Sequence, residues 1–349
     1  MKVLVTGHNG YIGSVLAPFL VKAGHDVVGL DTCFYETSTM GTPEPAGPAW
    51  RADIRDIDGD KLRGFDAIVH LAALSNDPLG NLNSDLTYDI NHRASVRLAN
   101  LAREAGVSRF VFASSCSLYG AAGSGLLTEN AAFAPITAYG ESKVLVERDV
   151  APMATRDFSP TFLRNATAYG FSPRLRADLM VNNLVGHALT SGRVLVQSDG
   201  TPWRPLVHVE DIARSVVAVL EAPRDAVHGQ AFNVGSSEEN YQVRQVAQIV
   251  AEELPGSTVE YAKGGGPDPR CYRVDCSKIA AAVPEFRPQW TVRQGVRQLV
   301  TAYRRFGLDQ AEWLGPKYYR LKRIEALLAT GQLDVNLRWI GAAAPGAMA

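Results

Sequence analysis

The chain has 349 residues, 46% hydrophobic and 20% charged, with a formal net charge of −1 at pH 7. That length suits more than one domain, and the ordinary globular composition confines expected disorder to the chain ends. The sequence has no basic run, no apolar stretch near the roughly 18 residues of a membrane helix and no signal-peptide pattern. It therefore argues against nucleic-acid and membrane partners and for small-molecule chemistry in the cytoplasm.

Residues 3–5 read as a buried strand and residues 10–23 as a helix. The turn between them is Gly7-His8-Asn9-Gly10-Tyr11-Ile12-Gly13. Each glycine there has a physical reason. Gly7 permits the tight turn, Gly10 lets a pyrophosphate reach the backbone, and Gly13 lets the helix pack on the strand. The unpaired N–H groups and partial positive charge of the helix start then face phosphate. The next strand, residues 26–30, ends at Asp31. This is where a dinucleotide site places an acid for the adenosine ribose hydroxyls. Its charge repels a 2′-phosphate, so the expected cofactor is NAD and not NADP.

Strand patterns recur at residues 67–71 and 110–113, and helical patterns at residues 89–105 and 138–150. This alternation predicts βαβ units and a parallel sheet covered on both faces. After about residue 160 the segments become mixed, with Pro and Gly punctuation and helices expected at 211–220, 243–253 and 292–306. The expected fold class is α/β, a doubly wound parallel sheet with a smaller mixed α/β C-terminal substrate domain. The expected units are residues 1–165, 166–310 and a tail, 311–349, with later crossings back to the first unit allowed for. The tail holds a helical stretch, residues 319–329, and an Ala/Gly/Pro-rich end expected to fray. Cys33, Cys116, Cys271 and Cys276 lack metal-ligand spacing, so free thiols and no metal site are expected.

Tyr139 and Lys143 stand at i and i+4, so both project from one face of their helix. A tyrosine ordinarily titrates near ~10. A neighbouring ammonium and a positive nicotinamide ring both favour phenolate, which makes Tyr139 a candidate general base. Ser115 closes the strand before that helix, at the carboxyl end where a doubly wound sheet binds ligands. It is placed to hydrogen-bond a carbinol oxygen beside Tyr139.

Five motifs together resemble the extended short-chain dehydrogenase/reductase family, the nucleotide-sugar epimerases and dehydratases, over roughly residues 1–300. They are Thr6-Gly7-x-x-Gly10-Tyr11-Ile12-Gly13, His70-Leu71-Ala72-Ala73, Ser114-Ser115-x-x-x-Tyr119-Gly120, Tyr139-x-x-x-Lys143 and Val207-His208-Val209-x-Asp211. The resemblance implies a Rossmann domain holding NAD, with Tyr11 and Ile12 in its phosphate loop. It implies that Asp53 and Ile54 meet the adenine, and that Leu71, Ala72 and Ala73 line the diphosphate and ribose path. It implies that Asn91 orders the active-site helix and that Lys143 also bonds the nicotinamide ribose. For the nucleotide-sugar substrate it implies Arg204 as a diphosphate-gripping fork. Asn183 and Arg270 are further phosphate candidates, and Ser117 and Thr167 stand at sugar-pocket positions. A homodimer through the helices at 89–105 and 138–150 is also implied.

Departures from the family pattern narrow the chemistry. Related dehydratases carry Asp-Glu after the serine or threonine, and related decarboxylases carry a nearby Glu; here those positions are Cys116 and Ser117. Without that carboxylate there is no acid–base pair for eliminating water across carbons 5 and 6. Thr167 replaces a frequent Asn, Asn165 a frequent aromatic and Pro205 a frequent acid, so the sugar pocket is not the usual one. The leading expectation is an NAD-dependent epimerase acting at carbon 4 through a 4-keto intermediate. The alternative is a 4-ketoreductase or dehydrogenase with net hydride transfer. A non-catalytic NAD sensor would not need Ser115, Tyr139 and Lys143 together.

Overall fold

The computed structural model describes residues 1–75, 83–121, 125–262, 268 and 270–341. The first strands, β1 (Lys2–Thr6), β2 (Asp26–Asp31), β3 (Ala49–Arg51), β4 (Ala67–His70) and β5 (Arg109–Ser115), pair in parallel. Beyond a two-residue strand, β6 (Leu126–Leu127), the sheet gains β7 (Ser159–Asn165). The chain then leaves it for β8 (Thr167–Tyr169), β9 (Arg193–Val196) and β10 (Trp203–His208), and returns with β11 (Ala231–Val234) at the edge. The resulting order is β11-β7-β5-β4-β1-β2-β3.

The period-two alternation of each strand decides which helices cover which face. Val3, Val5, Val69 and Val111 point to one side, where they meet Leu16 and Leu20 of α1 (Gly13–Lys22). Leu4, Ile68, Phe110 and Phe112 point to the other. They meet Leu98 and Ala102 of α2 (Ala94–Glu104) and Val146 and Val150 of α3 (Ala138–Val150). Both faces are dry, which is why the strands read as continuous apolar runs. Each such fully buried side chain contributes roughly 1.5–3 kcal/mol.

The second region holds α4 (Met180–Ser191), α5 (Val209–Glu221), α6 (Val243–Glu253) and α7 (Val292–Arg305). Of these, α5 turns back and packs Ile212 and Val216 into the first core, with α1. The others enclose a separate core through Leu184, Val185, Val246, Val250, Val296 and Leu299. Three small sheets brace this region: β8–β10–β12 (Asn240–Gln242), β9 with β13 (Thr258–Tyr261), and β6 with β14 (Arg273–Val274). The last helix, α8 (Arg320–Ala329), belongs to a C-terminal segment buried at both ends. Trp313 and Tyr318 join the second core. Ile324, Leu327, Leu333 and Leu337 pack on Phe34, Leu74, Leu86 and Ile90 of the first region.

Several elements differ from the expectation. Helix α1 begins at Gly13, not residue 10, because the preceding residues are spent on a turn in which Gly7 has φ +74°. The helix expected from residue 89 starts at Ser84, where Asn83 accepts the N–H of Leu86 as its cap. It contains a π-turn, Asp89–Arg93, before α2. Strand β7 and helix α4 were not expected. Ser159–Asn165 carries a proline and an arginine, yet all seven residues are buried. Arg164 is tolerated there because Glu147 of α3 meets it at 2.7 Å. The expected fraying of the last residues falls on 342–349, outside the described residues. Among the described residues no helix is long and apolar enough to cross a membrane.

Candidate active site

A cavity at the carboxyl ends of β1, β2 and β4 is lined by Gly7, Gly10, Tyr11, Ile12 and Gly13 of the first turn. Asp31, Asp53 and Ile54, and Leu71, Ala72 and Ala73, complete the expected cofactor residues on its wall. The turn is folded tightly on itself. A Cβ on Gly13 would stand 2.2 Å from the Gly7 carbonyl oxygen, and one on Gly7 would stand 2.8 Å from the Ala72 nitrogen. Only bare backbone fits, and it leaves a cradle for a phosphate. Asp31 is held rigidly by the N–H groups of Cys33 and Asn9, at 2.7 and 3.0 Å. Asp53 is gripped by Arg55 at 2.7 Å and by Arg338 at 3.1 Å. The donor set, a backbone cradle plus a fixed carboxylate at the end of β2, fits a dinucleotide.

A second cavity of about 600 Å³ opens beside it. Ser115, Ser117, Tyr139 and Lys143 line it together with Thr167, Asn183, Arg204 and Arg270. Ile12, Leu71, Ala73, Ser75, Ala168 and Arg176 belong to both walls, so the two cavities are continuous.

Helix α3 presents Tyr139 and Lys143 from its first two turns, after Thr137 caps it by accepting the Gly140 N–H. Lys143 is buried. Its Nζ donates to the Ala113 carbonyl at 2.8 Å, lies 4.5 Å from the Phe112 ring centre and 5.6 Å from that of Tyr139. Burial lowers its pKa to about 7, against the opposing pull of Glu147. Two anchors hold the helix. Glu147 accepts from Ser114 Oγ at 2.5 Å and from Arg164. Asn91, in the π-turn, lines neither cavity. Its amide ties the Leu74 backbone, at 2.7 and 3.0 Å, to Ser142 Oγ at 3.4 Å, next to Lys143. His70 is buried with Thr6 Oγ1 and Ser95 Oγ on its two ring nitrogens. Burial, aided by Lys143, lowers its pKa to about 3, so it is a neutral core residue.

Ser115 ends β5 and accepts the Ser117 N–H at 3.1 Å, while its hydroxyl donates to Ser117 Oγ at 3.0 Å. Arg204 and Arg270 converge on one carboxylate, Asp268, at 2.8 and 2.6 Å. Burial pushes the Asp268 carboxyl up, but the two guanidiniums outweigh it and hold it below the usual range. Asn183 donates to the Ala177 carbonyl at 2.8 Å and to the Tyr319 hydroxyl at 3.0 Å.

Sequence reasoning gave no site role to Arg176, Asn165 or Arg320. Arg176 borders both cavities and pairs with Asp178 at 2.6 Å. The alternating Arg174-x-Arg176-x-Asp178 spacing was the available signal. Asn165, on the substrate wall, has a buried Oδ1 without a hydrogen-bond partner among the described residues. Arg320 reaches the cofactor wall from α8, where nothing local marks it.

The family model described as the NAD dependent epimerase/dehydratase family matches residues 3–235. A UDP-glucose 4-epimerase of Corynebacterium glutamicum is 30% identical over 267 residues, covering 72% of this chain and 80% of that protein. The structure of MoeE5 in complex with UDP-glucuronic acid and NAD is similar with a TM-score of 0.76 and 28% identity, covering 87% of this chain and 99% of MoeE5. DesIV, a dTDP-glucose 4,6-dehydratase from Streptomyces venezuelae with NAD bound, gives 0.75 and 26%, covering 91% of this chain and all of its own (100%). The chain therefore belongs to the NAD-dependent epimerase/dehydratase family, within the extended short-chain dehydrogenases/reductases, and is an NAD-dependent enzyme.

Proposed function

We propose that this enzyme epimerises a nucleotide sugar, inverting carbon 4 through a 4-keto intermediate. The observation that carries this reading is the state of the carboxylates on the substrate wall. Among the described residues two line it, Asp178 and Asp268, and each is held by arginine. Ser117, not an acid, stands two residues from Ser115. Among the described residues, the wall thus has a group to move a hydroxyl proton but no carboxylate poised to strip a proton from carbon for elimination. Epimerisation needs only the former.

In this reading Gly7, Gly10, Tyr11, Ile12 and Gly13 cradle the NAD diphosphate, Asp31 takes the adenosine ribose, and Asp53 with Ile54 takes the adenine. When bound, NAD supplies the acceptor and later the donor of hydride. Tyr139 takes the proton of the sugar hydroxyl and returns it, while Ser115 hydrogen-bonds the same oxygen. Among the described residues Lys143 has one carbonyl partner. A phenolate and ribose hydroxyls satisfy its remaining N–H bonds. Arg204, Arg270 and Asn183 hold the substrate diphosphate, whose anionic oxygens compete with Asp268 for the two guanidiniums. Ser117, Thr167 and Asn165 face the sugar. Pairing of two copies through α2 and α3, and a cytoplasmic setting, complete the proposal; a monomeric mass in solution would contradict the pairing.

The test is a panel of nucleotide hexoses incubated with the purified protein, with products identified by NMR. Interconversion of 4-epimers without net change in NADH supports the proposal. Stoichiometric oxidation or reduction of the cofactor would replace it with a ketoreductase or dehydrogenase.

A further inference from the structure

The dinucleotide cavity has a wall that neither the glycine turn nor the strand ends supply. Residues 313–341, beyond the residues the family model matches, fasten to the segment that follows β2. The Trp339 indole donates to the Thr32 carbonyl at 2.6 Å, Arg323 donates to the Phe34 carbonyl at 3.3 Å, and the Tyr318 hydroxyl donates to the Thr39 carbonyl at 3.3 Å. Arg55, which also holds Asp53, donates to the Asn336 carbonyl at 2.9 Å. The near end is sunk into the second core. Trp313 is fully buried in a notch left by Gly186, where a Cβ would stand 2.1 Å from the indole. This segment is built in at both ends, not laid on the surface.

From it Arg320 enters the cofactor wall. Its side chain is buried, with the guanidinium 4.2 Å from the Tyr35 ring centre and Nη2 donating to the Arg174 carbonyl at 2.8 Å. Its Nη1 is buried with no partner among the described residues. Arg176 lines the same cavity and is matched by Asp178, whereas the Arg320 guanidinium has no carboxylate paired with it among the described residues. Both arginines act electrostatically on Tyr11 in the phosphate turn. A buried cation with an unmet N–H is costly unless a ligand completes it. A planar guanidinium matches phosphate oxygens as a fork, with opposite charge.

We propose that Arg320 binds the diphosphate of the dinucleotide, and that residues 313–341 form a strap that keeps NAD in place between turnovers. This rests on the enzyme's NAD dependence and not on which sugar or carbon it acts on. An enzyme that returns its hydride gains from a cofactor that stays bound, and a strap anchored at both ends slows release.

The experiment uses the full chain freed of NAD, as wild type, Arg320→Met and Arg320→Lys. NAD, ADP-ribose and adenosine are titrated by calorimetry. Arg320→Met is expected to weaken NAD and ADP-ribose by roughly 10–100-fold, the range of one charge-assisted phosphate contact. Adenosine, which lacks phosphate, is expected to stay within about twofold, and Arg320→Lys to recover part of the loss. Unchanged NAD affinity, or an equal loss for all three ligands, overturns the proposal. If Arg320→Met does not fold, trypsin cleavage of the wild type decides. NAD but not adenosine is expected to protect the bonds after Arg320, Lys322 and Arg323, and cleavage indifferent to NAD overturns the strap. Product stereochemistry enters neither readout, so a failure here is distinct from a failure of the epimerase reading.

Discussion

The cofactor cavity and the substrate cavity share a wall but are made of different material. The first is built around backbone and small apolar side chains, the turn Gly7–Gly13, Leu71, Ala72 and Ala73, with Asp31, Asp53, Arg176 and Arg320 set about them. The second sets charged and polar side chains drawn from β5, α3, β8, α4, β10 and the segment around Asp268 among apolar ones such as Leu184, Val196 and Ile212. Backbone presented at parallel strand ends is rigid and indifferent to what is bound beyond phosphate and ribose. Side chains paired with one another, as Arg204 and Arg270 are with Asp268, can exchange that partner for a ligand. In the proposed reading, the common part of the ligand pair meets the rigid cavity and the variable part meets the adjustable one.

Tyr139→Phe is the sharpest test of that division. Turnover is expected to fall by roughly 10²–10⁴-fold, the usual worth of a general base. NAD affinity, measured by calorimetry, is expected to stay within about threefold, because the hydroxyl belongs to the substrate side. Equal losses of both would erase the distinction.

Lys143 is a buried charge on the wall of the second cavity, so its replacement should trade function against stability. Its folded pKa of about 7 lies below the ordinary 10.5. Between those values the unfolded chain binds more protons than the folded one, so this group makes stability rise with pH. The burial penalty is complete below about pH 7 and fades toward 10.5. Lys143→Met is expected to abolish turnover yet stabilise the protein by an amount of order 4 kcal/mol at about pH 6, with a smaller gain at about pH 9. Denaturant unfolding at the two pH values checks this; a gain that does not shrink with pH would refute the assignment.

The smallest effect belongs to the adjustable side. Asn165→Leu removes a buried, partnerless acceptor. Stability without ligand is expected to rise by about 1 kcal/mol, while kcat/KM falls by roughly 10-fold through loss of a sugar hydroxyl contact. Unchanged kcat/KM would remove Asn165 from the sugar wall.

The same contrast explains how much could be read from the sequence. Gly7 and Gly13 announce themselves because their backbone allows nothing larger, a demand met within a few residues. Tyr139 and Lys143 are legible for a similar reason, since helix geometry alone brings i and i+4 together. Strand β7 was hidden because its pattern includes Arg164, whose burial is made possible by Glu147 on another element. Arg320 was hidden more deeply. Within α8 it reads as a surface cation, and only the distant partners Arg174 and Tyr35 make it a cavity residue. Asn165 drew notice as a departure from the family, but its orphaned oxygen is a property of packing.

The central claim is that one hydride leaves and returns to the same sugar while Tyr139 shuttles the proton. The most direct measurement starts from a turned-over nucleotide hexose carrying deuterium at carbon 4. The account predicts that the 4-epimer retains the deuterium at the inverted carbon, with no labelled NADH released. Deuterium lost to solvent or recovered in free NADH would contradict it.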